Sequence, residues 1–388
     1  MDEITASLAL RHTPGLGPRT AKRLLATYQT AVAAAEAWRD WAPRGLASPR
    51  VAAAFGRWVW RAAVDEELAA LARLRPLLLP WSHPQYPSAL RQIPDPPILL
   101  YGRGCLDLVQ GPCVAVVGSR RPSRYGQEMA ALIARDLAQA GICVVSGLAV
   151  GIDAAAHRAA LDEVGSSCAV LGTGVDLIYP AVHQELWRRL AQDGLVLTEF
   201  APHVAPQARN FPYRNRIISG MSLGVVVVEA AHKSGSLVTA SLAAAQGREV
   251  FVVPGPANAE TFQGSHQLVR DGATLIQSAQ DVLQELASAL REYSPAGQLQ
   301  PSGPSSQPVP PEKSRAQDPE VSLPQTFPSE EGRILWQALQ DASQPRHVDA
   351  LAQDLGWDAG RVSAALLLLE MEGLVRQYPG MYYTVSTR

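Results

Sequence analysis

Ser119, Arg120 and Arg121 follow four consecutive apolar residues, Val114 to Val117, and a break at Gly118. A hydroxyl and two guanidinium groups where a strand turns into a helix suit phosphate, because a helix start offers free backbone N–H groups to an anion. Solvated arginines on a tight turn would give the same letters, so this stretch alone leaves both readings open. A second set lies in ARNFPYRNRIISGMS, residues 208–222, where Arg209, Arg214 and Arg216 stand with Phe211 and Tyr213 inside eight positions. Guanidinium groups for backbone phosphates beside aromatic faces for bases are what sequence-tolerant single-strand binding requires. The alternative is a helix cap with Phe211 in the core. One of the two aromatics, rather than both, is expected to meet a base. The small residues Ser234, Gly235 and Ser236 ahead of another helix again favour an anion. Asp153 and His157, four apart on one helix face, could suggest a metal or an acid/base pair. No third ligand or nucleophile stands nearby, so Asp153 is expected to hold its loop through backbone N–H groups and His157 to pack.

These groups need elements to position them. Val114 to Val117 is apolar on both faces and ends in glycine, the pattern of a buried parallel strand. Further strands are expected at Ile142–Val145, Cys168–Leu171, Leu195–Thr198, Leu223–Glu229 and Val250–Val253, alternating with helices, which makes an open α/β sheet over residues 111–292. In such a sheet ligands bind beyond the strand carboxyl ends. Residues 1–75 read as helical from their Ala and Leu content, and LRHTPGLGPRTAKRLL resembles a helix-hairpin-helix whose Arg19, Lys22 and Arg23 are candidates for secondary DNA contacts. Residues 76–110, with five prolines in WSHPQYPSALRQIPDPPILLYGRG, are expected to form an extended connector anchored by Tyr86, Pro87, Leu90, Ile93 and Leu100. A helix is expected from Asp281 to Leu290. Residues 293–328 turn to Pro, Ser and Gln, as in a flexible linker whose ends would lie roughly 30 Å apart. Three short helices and a hairpin through Pro379 and Gly380 suggest a winged helix over 329–388, with Asp358 to Glu372 as its recognition helix and Arg361 as a candidate DNA contact.

Composition excludes several classes. Net charge is −2, so the chain is no polycation, and residues 111–292 hold fourteen basic and sixteen acidic side chains. An anion site there must be a local cluster. Basic residues are nearly all Arg, with Lys only at 22, 233 and 313, which suits bidentate phosphate contacts. Residues 329–388 carry eight acids against five bases, which favours a protein contact over a DNA contact for the winged helix. No apolar run approaches a bilayer span and the amino terminus lacks a signal-peptide pattern, so a cytoplasmic protein without membrane contact is expected. Cys105, Cys113, Cys143 and Cys168 lack metal-ligand spacing, and most are expected as core thiols. Neither a complete GxGxxG nor a Walker lysine motif occurs. No metal or cofactor is expected.

Taken in order, VAVVGSR, SGLAVGIDAAAH, LGTGVDLIYP, FPYRNRIISGMS, SGSLVTA and GSHQLVRDGA resemble the DNA-processing protein A family, DprA or Smf, over nearly the whole chain. The resemblance implies an extended Rossmann-like core, a helical amino-terminal domain of helix-hairpin-helix or SAM-like type and a carboxyl-terminal winged helix. It implies a homodimer that binds single-stranded DNA, and possible double-stranded DNA contacts, while helping to load RecA in natural transformation. Carried over, the DNA pocket comprises Gly118, Ser119, Arg120, Arg121, Gly147, Phe211, Arg214, Asn215, Arg216, Lys233, Ser234, Gly235 and Ser236. His266 stands where the family usually has Asn, which leaves the closing loop's geometry open. The rival is a nucleotide-processing enzyme akin to nucleoside-monophosphate phosphoribohydrolases. Their PGGxGTxxE signature is replaced here by HKSGSLVTAS, without the glutamate. A scaffold whose arginines serve only dimerisation is the third reading.

Overall fold

The apolar run at 113–117 is a strand buried along its whole length in the middle of a mixed sheet. The computed structural model describes residues 1–291, 293, 330–340, 346–371, 374–378 and 382–385, and the chain divides into two units, 1–302 and 303–388. In the first unit the strands are β1 (Leu77–Pro80), β2 (Leu99–Gly104), β3 (Cys113–Val117), β4 (Cys143–Ser146), β5 (Ser167–Val170), β6 (Leu195–Thr198), β7 (Gly224–Val227), β8 (Glu249–Val252) and β9 (Thr274–Leu275). Their spatial order is β1-β2-β6-β5-β4-β3-β7-β8-β9. From β3 the chain winds outward through β4, β5 and β6, then returns to lay β7 on the other side of β3, with Val117 beside Val227. The strands β3 to β9 are parallel. This reversal opens a crevice beyond the strand ends, because the connections on either side leave in opposite directions.

Residues 76–110 do more than connect. They contribute β1 and β2, antiparallel to each other and to β6, and Pro80 is tolerated because β1 is the edge strand of the described sheet. The expected anchors Tyr86, Leu90, Ile93 and Leu100 are buried against Ile217 and Met221. The helices α1 (Glu3–His12), α2 (Pro18–Tyr28), α3 (Ala31–Glu36), α4 (Pro49–Gly56) and α5 (Arg61–Leu74) share one core with Leu99 and Tyr101 of β2, and the short α6 (Ser88–Gln92) carries Leu90. Arg11, His12 and the Tyr101 hydroxyl all converge on the buried Glu67 carboxylate. Burial pushes its pKa up, but the hydrogen bond from His12, then the Arg11 charge and the Tyr101 hydroxyl, together hold it below the usual value.

Alternation along the parallel strands sorts their side chains into two layers. Val114, Val116 and Val144 share a core with Ile133 and Leu137 of α7 (Arg124–Gln139) and Ile152 and Ala156 of α8 (Ile152–Ala160). Ala115, Val117 and Val145 lie on the opposite side with Ile217, Ile218 and Ala240 of α10 (Asn210–Met221) and α11 (Gly235–Ala245). Between α8 and α10 comes α9 (Gln184–Asp193), which packs Leu190 onto Val196. Cys113, Cys143 and Cys168 are buried in this sheet, while Cys105 is exposed. The helix expected at 281–290 is instead two, α13 (Ala279–Glu285) and α14 (Ala287–Arg291), following α12 (Gln263–Arg270) and β9. No helix among the described residues is long and apolar enough to cross a membrane.

The second unit holds α15 (Glu330–Gln340), α16 (Val348–Leu355) and α17 (Ala359–Met371), with β10 (Arg346–His347), β11 (Val375–Tyr378) and β12 (Tyr382–Val385) in the order β10-β12-β11. Leu335, Leu351, Leu366 and Leu369 form its core. The expected hairpin pairs Tyr378 with Tyr382. Pro379 and Gly380 lie outside the described residues, as do Glu372 and, Tyr293 apart, the linker at 293–328.

Candidate nucleic-acid interface

A cleft of about 820 Å³ opens at the sheet reversal, lined from the β3 side by Gly118, Ser119, Arg120 and Arg121 and from the β7 side by Lys233 to Ser236. Its shape begins with a buried carboxylate. Glu229, just past β7, accepts from the Ser123 N–H at 3.0 Å and from the Ser123 Oγ at 2.6 Å, and its own carbonyl accepts from Ser119 N at 2.7 Å. Ser119 O in turn accepts from Ile152 N at 3.1 Å. This contact needs Gly151, which has φ +86°, and a Cβ there would lie 2.3 Å from Ser119 O. With both ends of the turn fixed, Arg120 and Arg121 project outward. Arg120, Arg121 and Lys233 are exposed and form no ion pair among the described residues. Their charge is available to a ligand.

Phe211 forms an aromatic wall. Its ring lies 5.4 Å from that of Tyr179 and 5.8 Å from the Arg120 guanidinium carbon. Gly172 makes room for it, since a Cβ there would come within 2.8 Å of the ring. On the opposite rim α11 begins at Gly235, with Ser234 as N-cap accepting from Ser236 N at 3.3 Å, and Asn215 Nδ2 reaches Gly235 O at 3.5 Å. The first turn of an eleven-residue helix therefore borders the cleft, and such a turn favours an anion.

Arg214 sits on the cleft floor but its guanidinium serves the protein. It is buried and donates to the carbonyls of Gly147, at 2.9 Å, and Val170. Burial lowers its pKa to about 10, partly offset by Asp153 and reinforced by Arg120. Asp153 holds its loop as expected, accepting from Gly147 N at 3.1 Å and Ala149 N at 3.3 Å. Burial raises its pKa, opposed by Arg214. Gly147 is thus a packing glycine, whose Cβ would lie 2.5 Å from Arg214 Nη2; it lines a smaller recess of about 70 Å³ beside the cleft. His157 also packs, accepting from Leu148 N at 3.3 Å and pairing with Ser167 Oγ at 2.7 Å.

Three expectations need correction. Arg216 does not line the cleft. It is 3 % exposed and makes a bidentate pair with Glu199, at 2.5 and 2.7 Å, with Asp95 at 3.5 Å, because its position on α10 turns it to the side opposite Phe211. Tyr213 goes with it, 4.1 Å from the Arg216 guanidinium carbon. Lys22 is not free for DNA: its Nζ donates to the carbonyls of Gln92 and Ile93 at 2.9 and 2.7 Å, tying α2 to the proline-rich segment. In the second unit Arg361 pairs with Glu331 at 2.7 Å and lies over Trp357. Arg19 and Arg23 remain exposed on α2.

Sequence reasoning missed Tyr179, Asp153 and Thr239 as cleft-lining groups and Glu229 as the clamp beneath it. Glu229 had a signal, a carboxylate ending an apolar strand, where burial demands a partner. With His266 rather than asparagine at its place, the segment after β8 closes through Ser265. Ser265 Oγ accepts from Ala230 N at 3.0 Å and Ser265 N donates to Ala230 O at 3.1 Å, while His266 pairs with Gly255 O at 3.2 Å. No cluster of three or more His, Cys, Asp or Glu suited to a metal occurs among the described residues.

Residues 78–287, the segment that builds the sheet and this cleft, match the family model described as DNA recombination-mediator protein A. The chain belongs to the DNA recombination-mediator protein A family. Residues 310–381 match the model of the DprA winged helix domain. Protein Smf of Escherichia coli strain K12 is 39 % identical over 323 residues, covering 83 % of this chain and 81 % of that protein. The DNA processing protein DprA of Streptococcus pneumoniae is 46 % identical over 200 residues, 52 % of this chain and 71 % of the relative. Its X-ray structure superposes with a TM-score of 0.62 at 36 % identity, over 71 % of this chain and 95 % of that one. The parallel core is thus shared with a solved family member, and the second unit matches a winged helix domain model named for DprA.

Proposed function

We propose that this recombination-mediator family member binds single-stranded DNA in the cleft, as a homodimer without catalytic activity, and that it protects incoming DNA and assists RecA loading in natural transformation. The observation that carries the reading is the juxtaposition of three cations without ion-pair partners among the described residues, Arg120, Arg121 and Lys233, with the Phe211 and Tyr179 rings and the α11 start. Phosphate contacts along a groove and stacking on an aromatic face give affinity without base reading. Asp153 is the carboxylate lining the cleft and is occupied by two backbone N–H groups, which supports binding rather than hydrolysis.

The test is a salt titration of binding to poly-dT and to duplex DNA, with AMP incubated in parallel. Tight, salt-sensitive poly-dT binding and no adenine release are expected. Salt-insensitive or absent DNA binding would favour a scaffold, and adenine release at catalytic turnover would favour the nucleotide-processing enzyme. Dimerisation is read by sedimentation. RecA loading is read by the rate of RecA filament formation on DNA already coated with single-strand binding protein.

A further inference from the structure

The helical region carries a second set of arginine and aromatic groups that the cleft does not use. Residues 37–61 contain five arginines, Arg39, Arg44, Arg50, Arg57 and Arg61, against one acid, Asp40. Within this segment Trp58 is 51 % exposed and Val59 beside it 58 % exposed, although the pair could have turned inward as Trp41 and Trp60 do. The Trp58 backbone is held at φ +59°, a conformation bulky residues avoid. Its ring stacks on Trp60 at 5.4 Å and 19°, with the Arg61 guanidinium carbon 5.3 Å from the Trp58 centroid. Trp38 packs flat on Gly56, where a Cβ would lie 2.3 Å from the indole, and Arg39 covers its ring at 4.7 Å. Arg57 and Trp58 follow Gly56 directly, so the two arginine–tryptophan pairs adjoin. Arg61 also contacts Asp65 at 3.6 Å, but both side chains are more than half exposed and such a pair is weak.

We infer that this surface, centred on Trp58 with Arg39, Arg57 and Arg61, is a second contact for single-stranded nucleic acid, separate from the cleft. Charge complementarity selects a polyanion. The half-exposed indole, stacked on Trp60 with the Arg61 guanidinium beside it, suits a stacked base, which a duplex would keep out of reach. The inference rests on the reading of the cleft as a single-strand site, and its test separates the two.

Full-length protein is photocrosslinked to poly-dT and digested with trypsin, which releases residues 58–61 as a short peptide because Arg57 and Arg61 flank the cut sites. A crosslinked nucleotide on that peptide is expected. Trp58→Ala should weaken poly-dT binding about tenfold at unchanged salt dependence, the effect of one lost stack. The combined Arg39→Ala and Arg61→Ala variant should reduce the salt slope by about 1.4, two contacts on a single strand. Unchanged binding in both variants, or no crosslink in the 58–61 peptide, overturns the inference. If Arg120→Ala weakens binding and these variants do not, the cleft stands and the second contact falls. If these variants weaken it and Arg120→Ala does not, the cleft reading falls instead.

Discussion

Arg120 and Arg216 have the same chemistry and opposite uses, and the difference lies in what each meets. Arg120 is exposed without an ion-pair partner among the described residues, whereas Arg216 is buried against Glu199. Arg120→Ala is expected to keep the fold, weaken poly-dT binding and lower the salt slope by about 0.7, one phosphate contact on a single strand. Phe211→Ala should cost about 1 to 3 kcal/mol of binding with the slope unchanged, which a fluorescence titration at several salt concentrations resolves. Arg216→Ala should destabilise the fold by about 3 to 5 kcal/mol in urea denaturation, since it leaves Glu199 buried without its partner. His157 supplies a pH prediction. Burial first, then the charges of His183, Arg214 and Arg158, lower its pKa from 6.5 to about 3, so the folded protein holds it neutral. Between pH 6.5 and 3 the unfolded chain binds the extra proton, and this contribution to stability is present above 6.5 and is lost as pH falls through that window. Comparing wild type with His157→Gln across pH 4 to 7, the variant should show a shallower decline by up to about 1.4 kcal/mol per pH unit. Asp153 and Glu199, raised by burial, act in the opposite sense near pH 4 and are present in both proteins.

At the scale of elements, α10 divides the labour by its own geometry. Phe211, Arg214 and Asn215 border the cleft, while Tyr213 and Arg216 lie against Phe200 and Glu199. ARNFPYRNR shows the residue types but not this division, because the face each residue takes depends on where α10 docks on β3 and β5. The turns after β3 and β4 interlock in the same way. Gly151→Ala should destabilise the protein by more than about 2 kcal/mol, as its φ and its 2.3 Å approach to Ser119 O leave no room for a Cβ. Gly235→Ala, with nothing within 4 Å of its Cβ, should leave stability unchanged in the same denaturation assay. Loss of stability in both variants alike would contradict the locking role given to Gly151.

At the scale of the whole molecule, the second unit has its own core in Leu335, Leu351, Leu366 and Leu369. Its Arg361 pairs with Glu331 at the surface, and residues 329–388 carry an acidic balance. A chain ending at Pro328 is therefore expected to keep poly-dT binding within a fewfold of the full protein. Sedimentation and titration of the truncated chain check this. A folded, dimeric truncation that loses tenfold or more would assign about 1.4 kcal/mol of binding to the second unit and refute the division.

The parallel strands, the glycine breaks after them and the winged-helix pattern were legible in the sequence because each is a local signal, a buried apolar run, a turn residue or a helical period. So were Ser119, Arg120, Phe211 and the 234–236 turn as cleft groups. The tertiary structure alone decided which cations remain exposed. Arg216 and Lys22 were claimed by Glu199 and by the Gln92 and Ile93 carbonyls, partners more than fifteen residues away in sequence, and no spacing rule reports such partners. The same holds for β1 and β2: the prolines around them suggest a connector until β6 supplies the antiparallel partner that the backbone N–H and C=O groups of β2 require.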